Sequence, residues 1–410
     1  MTFWIDEALS LTEGYGTREC RPFRERIFSA HALLAHPLAD DYVRTAKANG
    51  YVAANNRLRQ FHERLILGPS FKGIFIDSPD DEVKRFAEER SLQMSGLFGR
   101  YAKRIGLRKA AKRIKLRLKS YGFRFPLKNL SKAKDEEIAG AIARVSDATW
   151  WRRQVRKLQE LVLESVCIDL GLVNLKKGRY ASNYCVERKT KQWHRNQEIL
   201  ASLEAENDLG QVFNLLDLYN RGVSNLINRR HELMTRISGY EGYAKEQGDK
   251  GVFYTITAPS KYHAYHSKPC LSNPKYNGAT PVDTHEYFNT LWSRMRSAFK
   301  HAGVNPYGVR VVEPHHDGTP HWHLLLFMAP HEIETVTAIF ERYALAEDGN
   351  EAGAKQHRLK VENIDPNRGS AVGYIAKYIA KNIDGEHVGA DLYGEDAIAG
   401  AVRIRAWASN

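Results

Sequence analysis

Cysteine is scarce in this 410-residue chain, and its four thiols, Cys20, Cys167, Cys185 and Cys270, stand far apart without a CxxC pair. That excludes a zinc knuckle and a disulfide framework and reads as reduced thiols in a cytoplasm. No run of about 18 apolar residues exists, so nothing in the sequence is built to span a bilayer. The opening residues, Met1 to Gly14, carry Asp6, Glu7 and Glu13 and lack the basic flank and apolar run of a secretory signal. No Gly-x-x-x-x-Gly-Lys followed by Ser or Thr occurs, which excludes a P-loop motor within the chain. Acid is missing altogether between Arg100 and Lys134.

What is present is positive charge. Lys and Arg number 61 against 48 acids, a net +13, which favours a polyanionic partner, with nucleic acid in the cytoplasm as the leading class. The acid-free stretch places Arg104, Arg108, Lys112, Arg113 and Lys115 on one expected helix, over a thin apolar stripe of Leu107, Ile114 and Leu118. Such density suits a phosphate-tracking helix, against the alternative of a solvated face. A second cluster, Arg152, Arg153, Arg156 and Lys157, follows Trp150 and Trp151. Aromatics beside arginines can stack bases, but Val155, Leu158 and Leu161–Val162 continue a core stripe that buries the tryptophans instead.

The first 250 residues read as mostly helical, with periodic segments at Asp80–Met94, Trp150–Asp169 and Gln211–Ser238. Character changes near Gly251. Val252–Thr257 is β-branched and aromatic, and Pro259 ends it. Asp283–Ala302 reads as a helix, and Gly308–Pro314 and Pro320–Met328 as strands flanking an Asp317-Gly318 turn. Glu332–Leu345 reads as a helix, Arg358–Ile364 as a strand and Ser370–Asn382 as a last helix, entered after Pro366 and Gly369 with Ser370 as N-cap. Arg403–Trp407 reads as the start of another strand. The order gives an α+β fold: a helical N-terminal region, then a domain with a central, mainly antiparallel sheet flanked by helices.

His321 and His323 flank Trp322 on the second hairpin strand, so both imidazoles project from one face and can share a divalent ion. Alone, an HxH pair is weak evidence. Glu313, on the preceding strand, joins that face only if the hairpin loop has an odd length; a two-residue loop would set it opposite Trp322. His315 has the same parity and competes for the position. On the last helix Tyr374 and Tyr378 lie one turn apart, with Lys377 and Lys381 beside them and Val372, Ile375, Ala376 and Ile379 on the apolar face. A phenol with a pKa of about 10 is a poor nucleophile at neutral pH, and cations nearby stabilise its anion.

At these residues the sequence resembles the HUH (His-hydrophobic-His) endonucleases, and most closely the bacteriophage replication gene A proteins. His321-Trp322-His323 matches the HUH motif, Tyr374–Asn382 (YIAKYIAKN) the tyrosine motif, and Phe253–His263 (FYTITAPSKYH) the first motif, in family order. Arg229–Gly242 looks like the family's lead-in, and the likeness runs over roughly Trp150 to Gly385. Glu313–Phe327 is also similar to the metal-binding strand pair of viral rolling-circle initiators, where a glutamate completes the site.

Composition gives a basic helical region over 1–145 for possible DNA or partner binding; the resemblance adds a helical lead-in over 146–250 and the HUH endonuclease domain over 251–395, and 396–410 begins a further segment or tail. The resemblance implies Mg²⁺ or Mn²⁺ on His321, His323 and Glu313, and Tyr374 and Tyr378 as nucleophiles in either order. Lys377 and Lys381 would contact phosphate or phenolate, with Thr255 and Thr257 in support. The implied activity is nicking of single-stranded origin DNA, a 5′-phosphotyrosine link and a 3′ hydroxyl that primes rolling-circle synthesis. The place of work is the bacterial host cytoplasm, with a separate helicase, taken from the host, and no membrane. A non-catalytic nucleic-acid-binding protein would explain the basic region but leaves the paired histidines and tyrosines without a role. A plasmid mobilisation relaxase of the same chemistry is the third reading.

Overall fold

The computed structural model describes residues 2–365, 367, 369–386, 389 and 396–409. The expected helix breaker Pro366 and the expected domain end at Glu395 lie outside the described residues. The chain divides into two compact units, Met1–Val166 and Cys167–Ser409.

The first unit is helical among its described residues: α1 (Thr2–Thr12), α2 (Arg21–Ala30), α3 (Ala35–Leu65), α4 (Asp80–Ile105), α5 (Leu107–Lys119), α6 (Asp135–Val145) and α7 (Ala148–Asp169), whose end crosses the division. Its core gathers Phe71, Phe86, Tyr121, Phe123 and Trp151 with the aliphatic faces of α4 to α6. Trp151 is fully buried and its indole N–H donates to the Val145 carbonyl at 2.8 Å, so the tryptophans serve the core. The basic run expected on one helix is broken at Gly106, whose φ is 78°, so Arg104 falls in the last turn of α4 while α5 buries Ala110, Ala111, Ile114 and Leu118 and exposes Lys112 and Arg113. Its apolar stripe is thus widened by two alanines.

The second unit opens with α8 (Asn183–Ser202), a short hairpin of β1 (Glu204–Glu206) and β2 (Val212–Asn214), α9 (Leu215–Arg221) and α10 (Leu226–Gln247). The expected continuous helix over Gln211–Ser238 is therefore broken twice. Asparagine explains both breaks: Asn214 caps α9 by accepting from the Leu216 N–H, and Asn225 caps α10 by accepting from Ile227 and Asn228.

Then come β3 (Lys250–Ile256), α11 (Pro281–Ala302), β4 (Tyr307–Pro314), β5 (Pro320–Met328), α12 (Ile333–Ala344), α13 (Ala354–His357), β6 (Leu359–Asn363), α14 (Ala371–Ile383) and α15 (Ala397–Ala408). The strands form one antiparallel sheet in the order β4-β5-β3-β6. Both faces are covered. Trp322, Leu324, Leu326 and Met328 alternate into a core shared with α11 and α12, while Leu325 and Phe327 point the other way, toward α10 and α14. A strand buried on both sides reads as a continuous apolar run, which is why Pro320–Met328 was so clear.

The strand expected at Arg403–Trp407 is instead the end of helix α15. Asp396 caps it by accepting from Ile398 and Ala399, and the alanine-rich run that follows is strongly helix-forming. The alternation in Arg-Ile-Arg-Ala-Trp is local and loses to that context. None of the helices is long and apolar enough to cross a membrane among the described residues.

Candidate metal centre and tyrosine helix

The β4–β5 hairpin decides the site. His315 and Thr319 close its loop, with the Thr319 carbonyl accepting from the His315 N–H at 2.8 Å, and Gly318 takes a left-handed φ of 82°. Three residues remain in the loop, the arrangement in which a turn is followed by a left-handed glycine. A side chain at Gly318 would press on the Tyr180 carbonyl at 3.2 Å. The odd loop pairs Glu313 with His321 across the strands and Val311 with His323. Glu313, His321 and His323 consequently share a face.

Their donor atoms converge. Glu313 Oε2 lies 3.1 Å from His323 Nε2 and 3.4 Å from His321 Nε2, and the two imidazole nitrogens are 2.8 Å apart. All three residues are strongly shielded, and they are the one group of this kind among the described residues. For an octahedral ion with bonds of ~2.1 Å, neighbouring ligands stand about 3.0 Å apart, so the three atoms fit one triangular face and leave the opposite positions for oxygen ligands. His315 is outside the group: its ring lies 4.1 Å from that of His321 and packs against His263.

Electrostatics suit a cation. Burial alone would push the Glu313 carboxyl up, but hydrogen bonds from His321 and His323, with the charges of His321 and Lys381, hold it well below the usual range. Burial drives His323 down to about 4 against the opposing pull of Glu313, so its imidazole is neutral near pH 7. His323 Nδ1 is 3.0 Å from the Thr255 hydroxyl. Without an ion Nε2 faces Glu313; a proton shifted to Nδ1 and donated to the Thr255 hydroxyl would free the Nε2 lone pair for an ion.

Helix α14 lies over this centre. Ser370 caps it by accepting from the Gly373 N–H at 3.2 Å, and Ala371, Ile375, Ile379 and Ile383 bury its inner face. Tyr378 stacks on His323, ring centroids 3.9 Å apart, and on Phe253 at 5.4 Å. Burial, with the charges of Glu313 and Glu362, raises its phenol to about 12. One turn earlier Tyr374 lines a cleft of ≈ 380 Å³ together with Lys377, Tyr378 and Glu362. Lys377 Nζ sits 4.8 Å from the Tyr378 ring centre. Lys381 forms an ion pair with Glu313 Oε1 and lies 5.3 Å from the Tyr180 ring centre.

The profile of the bacteriophage replication gene A protein family matches residues 106–386, well over half of the chain. The chain belongs to that family. Among gene A relatives it is 45% identical to the probable replication protein P12 of Pseudoalteromonas phage PM2 over 278 residues, which are 66% of this chain and 42% of that protein. It is 43% identical to the replication gene A protein of Escherichia phage 186 over 281 residues, 67% of this chain and 40% of that protein. With the replication gene A protein of Escherichia phage P2 it shares 41% over 281 residues, 66% of this chain and 37% of that protein. The chain thus matches about two-fifths of the length of these relatives. No solved structure matches it. The gene A match takes in α5 and everything through α14, including both histidines, Glu313 and both tyrosines.

Of the residues singled out from this gene A sequence, the structure brings Glu313, His321, His323, Tyr378 and Lys381 together, with Tyr374 and Lys377 on the adjoining cleft. The basic residues behave differently. Arg104, Lys112, Arg113 and Arg153 are exposed. Arg108 is engaged at home, donating to the carbonyls of Leu130, Ser131 and Ala133, and Arg152 pairs with Asp80. Phe253 and Tyr180 were missed. Phe253 shares strand parity with Thr255, a signal that was available; Tyr180 comes from a loop that carries none.

Proposed function

We propose that the chain is a metal-dependent nicking-joining enzyme that opens one DNA strand at a phage replication origin. The observation that carries this reading is the stack of Tyr378 on His323, a member of the Glu-His-His triad, with Tyr374 one turn away. A phenol against a metal ligand is where a nucleophile for phosphoryl transfer would stand. His321, His323 and Glu313 would hold Mg²⁺ or Mn²⁺, which supplies positive charge to the phosphate oxygens and to the developing phenolate.

In the proposed step the phenolic oxygen of one tyrosine bonds to phosphorus and the bond from phosphorus to the 3′ oxygen breaks. The tyrosine keeps the 5′ phosphate, and the phenolic proton is lost as the 3′ oxygen gains one. Lys377, over the Tyr378 ring, and Lys381, paired with Glu313, would offset charge on the phenolate and on the phosphate. The ester conserves the energy of the broken bond, so a 3′ hydroxyl can later attack it and rejoin the strand. Two tyrosines allow one to hold the old end while the other cuts again. A 3′ hydroxyl left free would prime rolling-circle synthesis, with a separate helicase, from the host, opening the duplex in the host cytoplasm.

The test is a covalent adduct between protein and labelled single-stranded origin DNA in Mg²⁺ or Mn²⁺. Tyr374→Phe combined with Tyr378→Phe is expected to abolish it, and EDTA to suppress it in the parent. An undiminished adduct in the double variant would sink the reading. Peptide mass mapping of the single variants then assigns the order of attack.

A further inference from the structure

A second cavity opens on the other flank of α14. It measures ≈ 550 Å³ and is framed by α10, the edge strand β4, the last turn of α14 and α15. Its floor is apolar, from Leu233, Val311 and Ile379, and no acid lines it among the described residues. Arg229 stands exposed at its rim, and Arg405 is fixed there by donating to the Ile383 carbonyl. Asn382 also lines it, and both its amide nitrogen and its amide oxygen are buried without a hydrogen-bond partner among the described residues. A buried amide with both ends unmatched is costly, and such groups are satisfied in native structures as a rule. Something that brings an acceptor and a donor together is the natural complement.

The place of the cavity narrows what that is. Val311 pairs with His323 and lies two residues before Glu313, so the cavity adjoins the strand pair that carries the candidate metal centre. Asn382 follows Tyr378 by one helical turn, a rise of about 6 Å, of the order of a nucleotide step. The ≈ 380 Å³ cleft at Tyr374 lies against β3 and β6, the ≈ 550 Å³ cavity against β4, and Tyr378 stands between them on α14.

We infer that this cavity holds one nucleotide of the single strand next to the cut phosphate, its base read by the Asn382 amide and its phosphate met by Arg229 and Arg405. The inference rests on the nicking reading and adds a specificity residue to it. A side-chain amide offers the donor–acceptor pair that suits adenine best. An apolar floor suits a base face, and Arg229 and Arg405 suit a phosphate, while the guanidinium of the third lining arginine, Arg310, is engaged over Trp322.

The test is run in EDTA, where nicking is off, by fluorescence anisotropy with short homopolymeric single strands of dA, dC, dG and dT. The parent is expected to show a base preference, with dA at its head. Asn382→Leu keeps the shape and removes the unmatched amide. It is expected to melt no lower than the parent, yet to lose the preference and at least about five-fold in affinity for the preferred strand. Arg229→Ala is expected to weaken all four strands alike. An Asn382→Leu protein that keeps both affinity and preference overturns the pocket and leaves the nicking reading standing. A parent that binds none of the four strands overturns both.

Discussion

Glu313 is the residue on which the others depend. Its side chain is 3% exposed, yet it meets Lys381 with one oxygen and two imidazoles with the other. Removing one partner of a buried ion pair strands the other charge, at a cost of about 3 kcal/mol or more. Lys381→Met is therefore expected to lower the stability of the sheet-bearing unit by that order in denaturant titration without metal, and added Mn²⁺ to restore part of it. A variant as stable as the parent would show that Glu313 does not need the lysine. Thr255→Val is the milder companion: without a hydroxyl on His323 Nδ1, Mn²⁺ affinity is expected to fall ten-fold or more by calorimetry, at little change in fold. The histidines were legible because alternation in a strand is simple geometry. Phe253 is legible by the same alternation, through its parity with Thr255; Tyr180 is not, since its contact arises only when distant segments meet. The arginines teach the opposite lesson. Charge density marks a basic region, but Arg108 and Arg152 tie down loops and helices, which no count of cations reveals.

At the scale of elements, the hairpin loop sets the register of the centre. Sequence reading could state the condition, an odd loop, but not the outcome, because Asp-Gly favours a two-residue turn as readily as a three-residue one. The closing pair His315–Thr319 and the Asp317 carboxylate, which accepts from the Thr319 N–H at 3.1 Å, select the longer form. One glycine inserted after Gly318 would make the loop even and turn either Glu313 or the histidines to the wrong face. Such a protein is expected to lose measurable Mn²⁺ binding and adduct formation together. Retention of both would mean that the strands slip to recover the register. Helix α15 bears on the same loop. Its Trp407 indole donates to the Gly318 carbonyl at 2.7 Å, so a segment first read as a strand instead props the hairpin. The five alternating residues are outweighed by the Asp396 cap and the alanines that precede them.

At the scale of the whole molecule, the fold class was readable because the two halves of the chain differ in periodicity. Basic charge on α5 belongs to the helical unit, while the metal centre belongs to the sheet unit. If Arg104, Lys112 and Arg113 track phosphates, replacing all three by Gln is expected to reduce the salt slope of single-strand binding by about 2, at roughly 0.7 per phosphate contact. An unchanged slope would make them a solvated face. The two-sided burial of β5 has a last consequence. Trp322 is locked between Phe288 and the Arg310 guanidinium on the far face, 5.1 and 3.8 Å away, while its neighbours carry the metal donors. A strand gripped from behind cannot bend to follow its guest. If Glu313, His321 and His323 hold an ion, the backbone sets the width it meets, and a looser grip at Trp322 is expected to register first as a loss of discrimination between Mg²⁺ and Mn²⁺ in binding titrations.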